Sequence, residues 1–311
     1  MIRIVLACLL LSQIGIAADA DFNGRWVIDP NQGGPGRVAW LEIEGAGSGR
    51  ITGSAVGLQP GGQVDPIAKA QVVDGALRFQ VDRKTRRGMV SSVTTARLEG
   101  GELRGVTQRN GDEVRWVGYP APEIADRDDG SWVEGEPVVL FDGKDRSAWK
   151  SLHAGRDDEW SIEDGALVNS TGADEYSTKE KFWNFRLHVE YSAGEHSNSG
   201  VGLRGRYEVQ IYDDYGEPAT KSGNGAVYSR QAARVNASKP PGEWQTLDIT
   251  LIGRDLTVLL NGVKIHDKLD VRGFTAMATD WREGEPGPIT LQGDHGIVRF
   301  RKVVLTPLER K

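Results

Sequence analysis

Apolar and polar side chains alternate with a period of two along much of the chain, which is the repeat of a strand and not of a helix. Phe185, Leu187, Val189 and Tyr191 interleave with Arg186, His188, Glu190 and Ser192, as on a strand with one buried face. Gly200–Asp214 alternates in the same way and reads as a single strand. Val201, Leu203, Tyr207, Val209 and Ile211 fall on one parity, and Arg204, Arg206, Glu208, Gln210 and Tyr212 on the other. A wet strand face usually carries Thr, Lys and Ser. Two guanidiniums, a carboxylate, an amide and a phenol in a row instead suit a ligand rich in hydroxyls. The stretch predicts the floor of a sugar-binding groove.

The same pattern divides the chain. Between Asp21 and Pro122, short strands are predicted at Gly24–Asp29, Val38–Glu44, Arg50–Val56, Ala70–Val73, Ala76–Val81, Val93–Leu98, Leu103–Gln108 and Asp112–Tyr119. Asp74-Gly75 and Asn110-Gly111 are hairpin turns, because their residues tolerate positive φ. Such a meander, with Trp26 and Trp116 near its ends, predicts a small antiparallel β-barrel or sandwich over residues 21–122. Residues 123–137, rich in Pro, Asp and Gly, read as a linker. Residues 138–311 predict a second all-β domain. Its strands include Trp244–Leu251, Leu256–Leu260, Val263–His266 after the Asn261-Gly262 turn, Pro288–Gln292 and Val298–Leu305. Gly223–Arg230 reads as a short strand in a loop region that runs to Pro241. No amphipathic helix longer than a turn or two is expected.

Composition changes this picture in two ways. Forty glycines in 311 residues reinforce a turn-rich all-β reading, and a net charge of −6 argues against a nucleic-acid partner. Residues 1–20 read as a signal peptide: Arg3, the apolar Ile4–Leu11, then Ala18-Asp19-Ala20 as a cleavage site. That apolar run is too short to span a membrane. The protein is therefore expected in the periplasm or outside the cell. Cys8, the only cysteine, lies in this segment, so the mature chain has no thiol chemistry and no disulfide.

Few motifs carry chemistry. Gly200-x-Gly202-x-x-Gly205 matches a dinucleotide fingerprint in letters only, since a strand and not a helix follows it. Glu208-x-Gln210-x-x-Asp213 resembles the carboxylate spacing of jelly-roll glucanases, but an amide takes the middle place and the end residues differ in parity. His295, in a turn after Gln292, is a candidate, as are His196 and Asn198 before the polar strand. His153 and His266 read as surface residues. No metal-binding spacing of histidines occurs, and Asp157-Asp158 and Asp213-Asp214 read as solvated acids.

Several segments together carry a resemblance. Val139-Leu-Phe-Asp-Gly-Lys-Asp with Trp149, and Trp160-Ser-Ile-Glu-Asp-Gly-Ala-Leu-Val168, are similar to the 3-keto-disaccharide hydrolase family. So are Asn198-Ser-Gly-Val-Gly-Leu-Arg204, Tyr207-Glu-Val-Gln-Ile211, Gly225-Ala-Val-Tyr228, Lys239-Pro-Pro-Gly-Glu-Trp244 and Pro288-Ile-Thr-Leu-Gln-Gly-Asp-His-Gly296. The resemblance spans about Val138–Leu308. It implies a concanavalin-like β-sandwich (jelly roll) with a concave sheet, and cleavage of glycosides already oxidised to a ketone at C3. Gly202 departs from the pattern, where a larger residue is expected. The first domain looks like the β-rich extension ahead of some members.

A ketone at C3 acidifies the C2 hydrogen and places the C1 aglycone β to the resulting enolate. Cleavage then needs a base, a donor or cation at the enolate oxygen, and an acid for the leaving oxygen. Matched to the residues of the groove, these needs assign Glu208 or His295 as base, Arg204 at the enolate, and Asp213 or His295 as acid. Gln210, Arg206, Tyr228, Lys239, Asn198, Gln292 and, less directly, Glu190 would hold the sugar. No cofactor is implied, although a divalent ion such as Ca²⁺ could replace the arginine as electrophile. The expected partner is an oxidised mono- or disaccharide glycoside. The competing readings are a non-catalytic carbohydrate-binding sandwich and an ordinary retaining endoglycosidase.

Overall fold

The computed structural model describes residues 18–29, 38–59, 62–85 and 88–311. The signal-peptide reading of residues 1–20 falls almost wholly outside the described residues. Among the described residues no helix is long and apolar enough to cross a membrane.

Eight strands from Gly24–Asp29 to Asp112–Pro120 close into an antiparallel barrel in sequence order, the last pairing with the first. Closure removes the unpaired edges that an open meander would expose. The hairpin turns form where their residues tolerate a left-handed backbone: Asp74 and Gly75 have φ of 51° and 67°. Trp116 fills the barrel interior at 2% exposure, and its Nε1–H donates to Thr107 Oγ1 at 3.0 Å. Gly105 lies against it, since a Cβ there would be 2.1 Å from the indole.

The rest of the chain forms two packed sheets, a jelly-roll sandwich. The larger sheet runs in the order Trp160–Glu163, Ala166–Asn169, Val298–Arg310, Phe185–Ala193, Gln245–Ile252, Asp255–Leu260, Val263–Asp270. The smaller sheet has five strands: Trp149–Ser151, Tyr176–Thr178, Thr290–Leu291, Asn198–Leu203 and Tyr207–Tyr212. Phe185, Leu187, Val189 and Tyr191 are all buried between the sheets, as their alternation requires. The expected linker contains a short strand, Trp132–Glu134, that pairs with the end of Val298–Arg310. Asp126 fastens the same segment to the sandwich, accepting from Trp183 Nε1 at 2.8 Å and Asn184 Nδ2 at 2.9 Å. Gly223–Arg230 is not a strand. It touches the sheet through a one-residue bridge between Val227 and Val209.

Barrel and sandwich share a buried surface. Val27, Val38, Trp40 and Val56 of the barrel belong to the sandwich's hydrophobic cluster. Arg230 stacks over Trp40 at 4.8 Å, and Tyr119 stacks on Trp281 at 4.4 Å. Aromatic contacts of this kind add to the area term.

Candidate active site

The Gly200–Asp214 stretch is a hairpin, not one strand. Asn198–Leu203 turns back at Arg204-Gly205-Arg206 and pairs with Tyr207–Tyr212, with Leu203 opposite Tyr207 and Gly202 opposite Glu208. Arg204 and Gly205 adopt φ of 55° and 64° to make the turn. Opposite residues share a face, so Glu208 and Gln210 face the same way as Gly202 and Gly200. The glycines make that packing possible. A Cβ at Gly200 would lie 2.6 Å from Glu208 Oε1, and one at Gly202 would lie 2.0 Å from Thr290 Oγ1. The larger residue expected at 202 has no room, because Thr290 of the neighbouring strand occupies that space.

Glu208 and Gln210, each 2% exposed, form the base of a cavity of about 100 Å³. Asn198, Tyr228, Ala276, Gln292 and His295 complete its lining. Backbone bonds hold these walls in place. Tyr228 N donates to Glu208 O at 3.2 Å, Gln292 N to Gly200 O at 3.1 Å, and Asn198 N to His295 O at 2.8 Å. Gln210 Nε2 donates to Asn198 Oδ1 at 3.0 Å and to Ser222 O at 3.2 Å. Its Oε1 and that of Gln292 are buried and meet no donor among the described residues. Two such acceptors beside a carboxylate suit a ligand that brings several O–H donors.

The electrostatics follow from burial. The Tyr228 phenol is pushed up, first by burial and then by the charge of Glu208, while Arg83 of the barrel lowers it. It therefore stays protonated at neutral pH and can donate a hydrogen bond. His295 stands at the exposed rim, its Nδ1 against the carboxylate of Asp294. The pairing fixes the ring's orientation and leaves Nε2 as its other functional atom. Among the described residues, no group of three or more His, Cys, Asp or Glu side chains gathers as a metal site.

The cavity thus brings together Glu208, His295, Gln210, Tyr228, Asn198 and Gln292. The other expected site residues lie elsewhere. Arg204 is fully buried in the turn, donating to Trp183 O at 2.6 Å, Gly253 O at 2.7 Å and Asn184 Oδ1 at 3.1 Å. Its guanidinium also covers the Trp183 ring at 3.9 Å, and the residue does not line the cavity, so it is not placed to meet an enolate there. Arg206 is equally buried and holds the carbonyls of Asp280, Arg282 and Glu285, which shapes the 275–285 loop. Asp213 accepts from His196 N at 2.9 Å and does not line the cavity. Lys239 donates to Trp244 O at 2.9 Å on the surface. Glu190 lies on the larger sheet, paired with Arg301 at 2.5 Å. His266, expected at the surface, is buried at 3% exposure and bonded through Nε2 to Gly225 O at 2.8 Å. Burial, partly offset by that carbonyl, pulls its pKa down.

Ala276 also lines the cavity. It is small and apolar, in a loop that the Arg204–Arg206 turn positions through Thr275 N to Arg206 O at 3.0 Å and Thr279 N to Gly205 O at 2.9 Å. No pattern in the sequence marks it. A larger groove of about 660 Å³ lies on the barrel beside Arg25, Trp26 and Glu42. Among the described residues its lining has no histidine to match the carboxylate–histidine–amide set of the smaller cavity.

Comparison with known proteins adds a family. The model for the 3-keto-alpha-glucoside-1,2-lyase-like domain matches residues 136–306. A candidate glycosyl hydrolase of Parabacteroides distasonis is 27% identical, the match covering 60% of this chain and 92% of that one at a TM-score of 0.46. A second from the same organism is 25% identical over 56% of this chain and 100% of that one, at 0.45. A non-specific endo-beta-1,3(4)-glucanase of family GH16 is 12% identical over 62% of this chain and 96% of that one, at 0.37. No curated protein sequence matches.

Proposed function

Because the chain belongs to the 3-keto-alpha-glucoside-1,2-lyase-like domain family and is a carbohydrate-active enzyme, we propose that it eliminates the C1 aglycone from 3-keto-glycosides. The observation that carries this reading is the meeting of one buried carboxylate, Glu208, with His295 and two unpartnered amide oxygens inside the matched region. We assign Glu208 as the base. It takes the C2 proton, the electron pair moves onto the C3 oxygen as an enolate, and the Tyr228 hydroxyl donates to that oxygen. Collapse of the enolate forms the C1–C2 double bond and breaks the C1–O bond, while protonated His295 delivers its Nε2 proton to the departing oxygen. Gln210 and Gln292 accept from sugar hydroxyls. General acid–base groups of this kind contribute about 10²–10⁴-fold each. Addition of water across C1–C2 turns the lyase product into the free 3-keto sugar, so elimination and hydrolysis share one first step.

The retaining endoglycosidase reading fares less well. It needs two carboxyl groups about 5–5.5 Å apart, and among the described residues Glu208 is the one carboxylate in the cavity lining. The N-terminal Arg3 and Ile4–Leu11 pattern favours action in the periplasm or outside the cell.

A reaction run in D₂O tests the route. The expected product is the 1,2-unsaturated 3-keto sugar, or its hydrate carrying deuterium at C2 above an enzyme-free control. A product that keeps its original C2 hydrogen, with solvent oxygen at C1, would show direct displacement and overturn the proposal.

A further inference from the structure

With Arg204 and Arg206 turned to other loops, the cavity's sandwich walls hold no arginine among the described residues. The barrel brings one near, next to the lining and not itself part of it. Arg83 continues the inward-facing row of Phe79 and Val81 on the Ala76–Thr85 strand. Asp65 grips it from one side: Nε donates to Oδ1 at 3.0 Å and Nη2 to Oδ2. Both side chains are 8% exposed. This fork leaves Nη1 on the far side of the guanidinium, buried and with no acceptor among the described residues. A buried guanidinium donor with no partner is costly.

The same part of the barrel sits on the cavity's rim at two points. Val64 N donates to Ser229 Oγ at 3.0 Å, one residue from Tyr228. Gly62 approaches Ala276 so closely that a Cβ at 62 would lie 1.9 Å from that of Ala276. The Arg83 charge is also felt at the Tyr228 phenol.

We propose that Arg83 is a substrate-contacting residue of the active site supplied by the barrel, its Nη1 donating beside the Tyr228 hydroxyl to the C3 oxygen of the sugar. The inference rests on the 3-keto-glycoside reading, and gives the barrel a part in catalysis. Asp65 fixes the guanidinium, so the donor is in place before charge develops on the oxygen. Such preorganised donors act on the transition state more than on the ground state.

The test compares the wild type with the double variant Arg83→Met/Asp65→Leu, which removes the pair without stranding a buried charge. Arg83→Lys is measured alongside, with Arg115→Ala on the barrel surface as a control. Substrate is an aryl 3-keto-glucoside, and kcat, KM and Tm are recorded. The double variant should lose about 100-fold in kcat with KM within about threefold, Arg83→Lys should lose about tenfold, and Arg115→Ala should match the wild type. A folded double variant with near-wild-type kcat overturns the inference and leaves the lyase reading standing. If the double variant does not fold, Arg83→Lys decides: unchanged kcat overturns the inference, and a tenfold loss supports it. No turnover by the wild type overturns the lyase reading and the inference together.

Discussion

Replacing Glu208 with Gln is expected to lower kcat for aglycone release about 10³-fold with little change in Tm. The substitution keeps the side chain's shape and removes its basicity. Because Gly200 and Gly202 leave room for that shape, the amide fits where the carboxylate was. Loss of a positioned general base costs about 10²–10⁴-fold. KM should move much less, since the amide oxygen still accepts from a sugar hydroxyl. A Glu208→Gln enzyme with more than a tenth of wild-type kcat would remove Glu208 from the base role.

Replacing Arg204 with Ala is expected to do the opposite. From the turn of the cavity hairpin, its guanidinium satisfies the carbonyls of Trp183 and Gly253 and the Asn184 amide, which belong to two loops of the larger sheet. Asn184 in turn holds Asp126 of the connecting segment and accepts from Gly253 N at 2.8 Å. Stranding buried polar groups costs about 1–3 kcal/mol each, and the truncation strands these three acceptors together. For a domain of this size that corresponds to a Tm lower by roughly 10 °C. At a temperature where the variant is still folded, kcat should stay within about threefold of wild type. If Arg204 stabilised the enolate, kcat would instead fall about 100-fold or more at nearly constant Tm. Thermal melting and steady-state kinetics on one preparation separate the two.

These two residues show what alternation can and cannot tell. The loop Arg204-Gly205-Arg206 has an odd number of residues, so Leu203 and Tyr207 keep the same parity across it. A period-two pattern therefore runs unbroken through the hairpin, and the stretch reads as a single strand. Parity gives the face of Glu208 and Gln210, because they lie within the second arm. The same arithmetic puts Arg204 and Arg206 on that face, although a turn does not obey strand parity. The Asp74-Gly75 and Asn261-Gly262 hairpins announce themselves through residues that prefer positive φ. Arg204 adopts positive φ without that preference, held by its own guanidinium bonds.

The eight-stranded barrel was legible because its strands follow one another and pair in sequence order. The seating of Val64 on Ser229 and of Gly62 on Ala276 was not. Those contacts join positions more than 160 residues apart, and a period confined to neighbouring residues cannot report them. His266 misled for a different reason. Lys264 and Asp267 around it are exposed, but a register shift in the pairing with Asp255–Leu260 turns the imidazole inward, to Gly225. Bulges of this kind break strict alternation.

The most direct measurement is aglycone release from an aryl 3-keto-glucoside and from its unoxidised parent glucoside, under the same conditions. The account predicts release from the ketone and none from the parent, because only the ketone makes the C2 hydrogen acidic enough for Glu208 to remove. Release from the parent alone, or from neither, would contradict it.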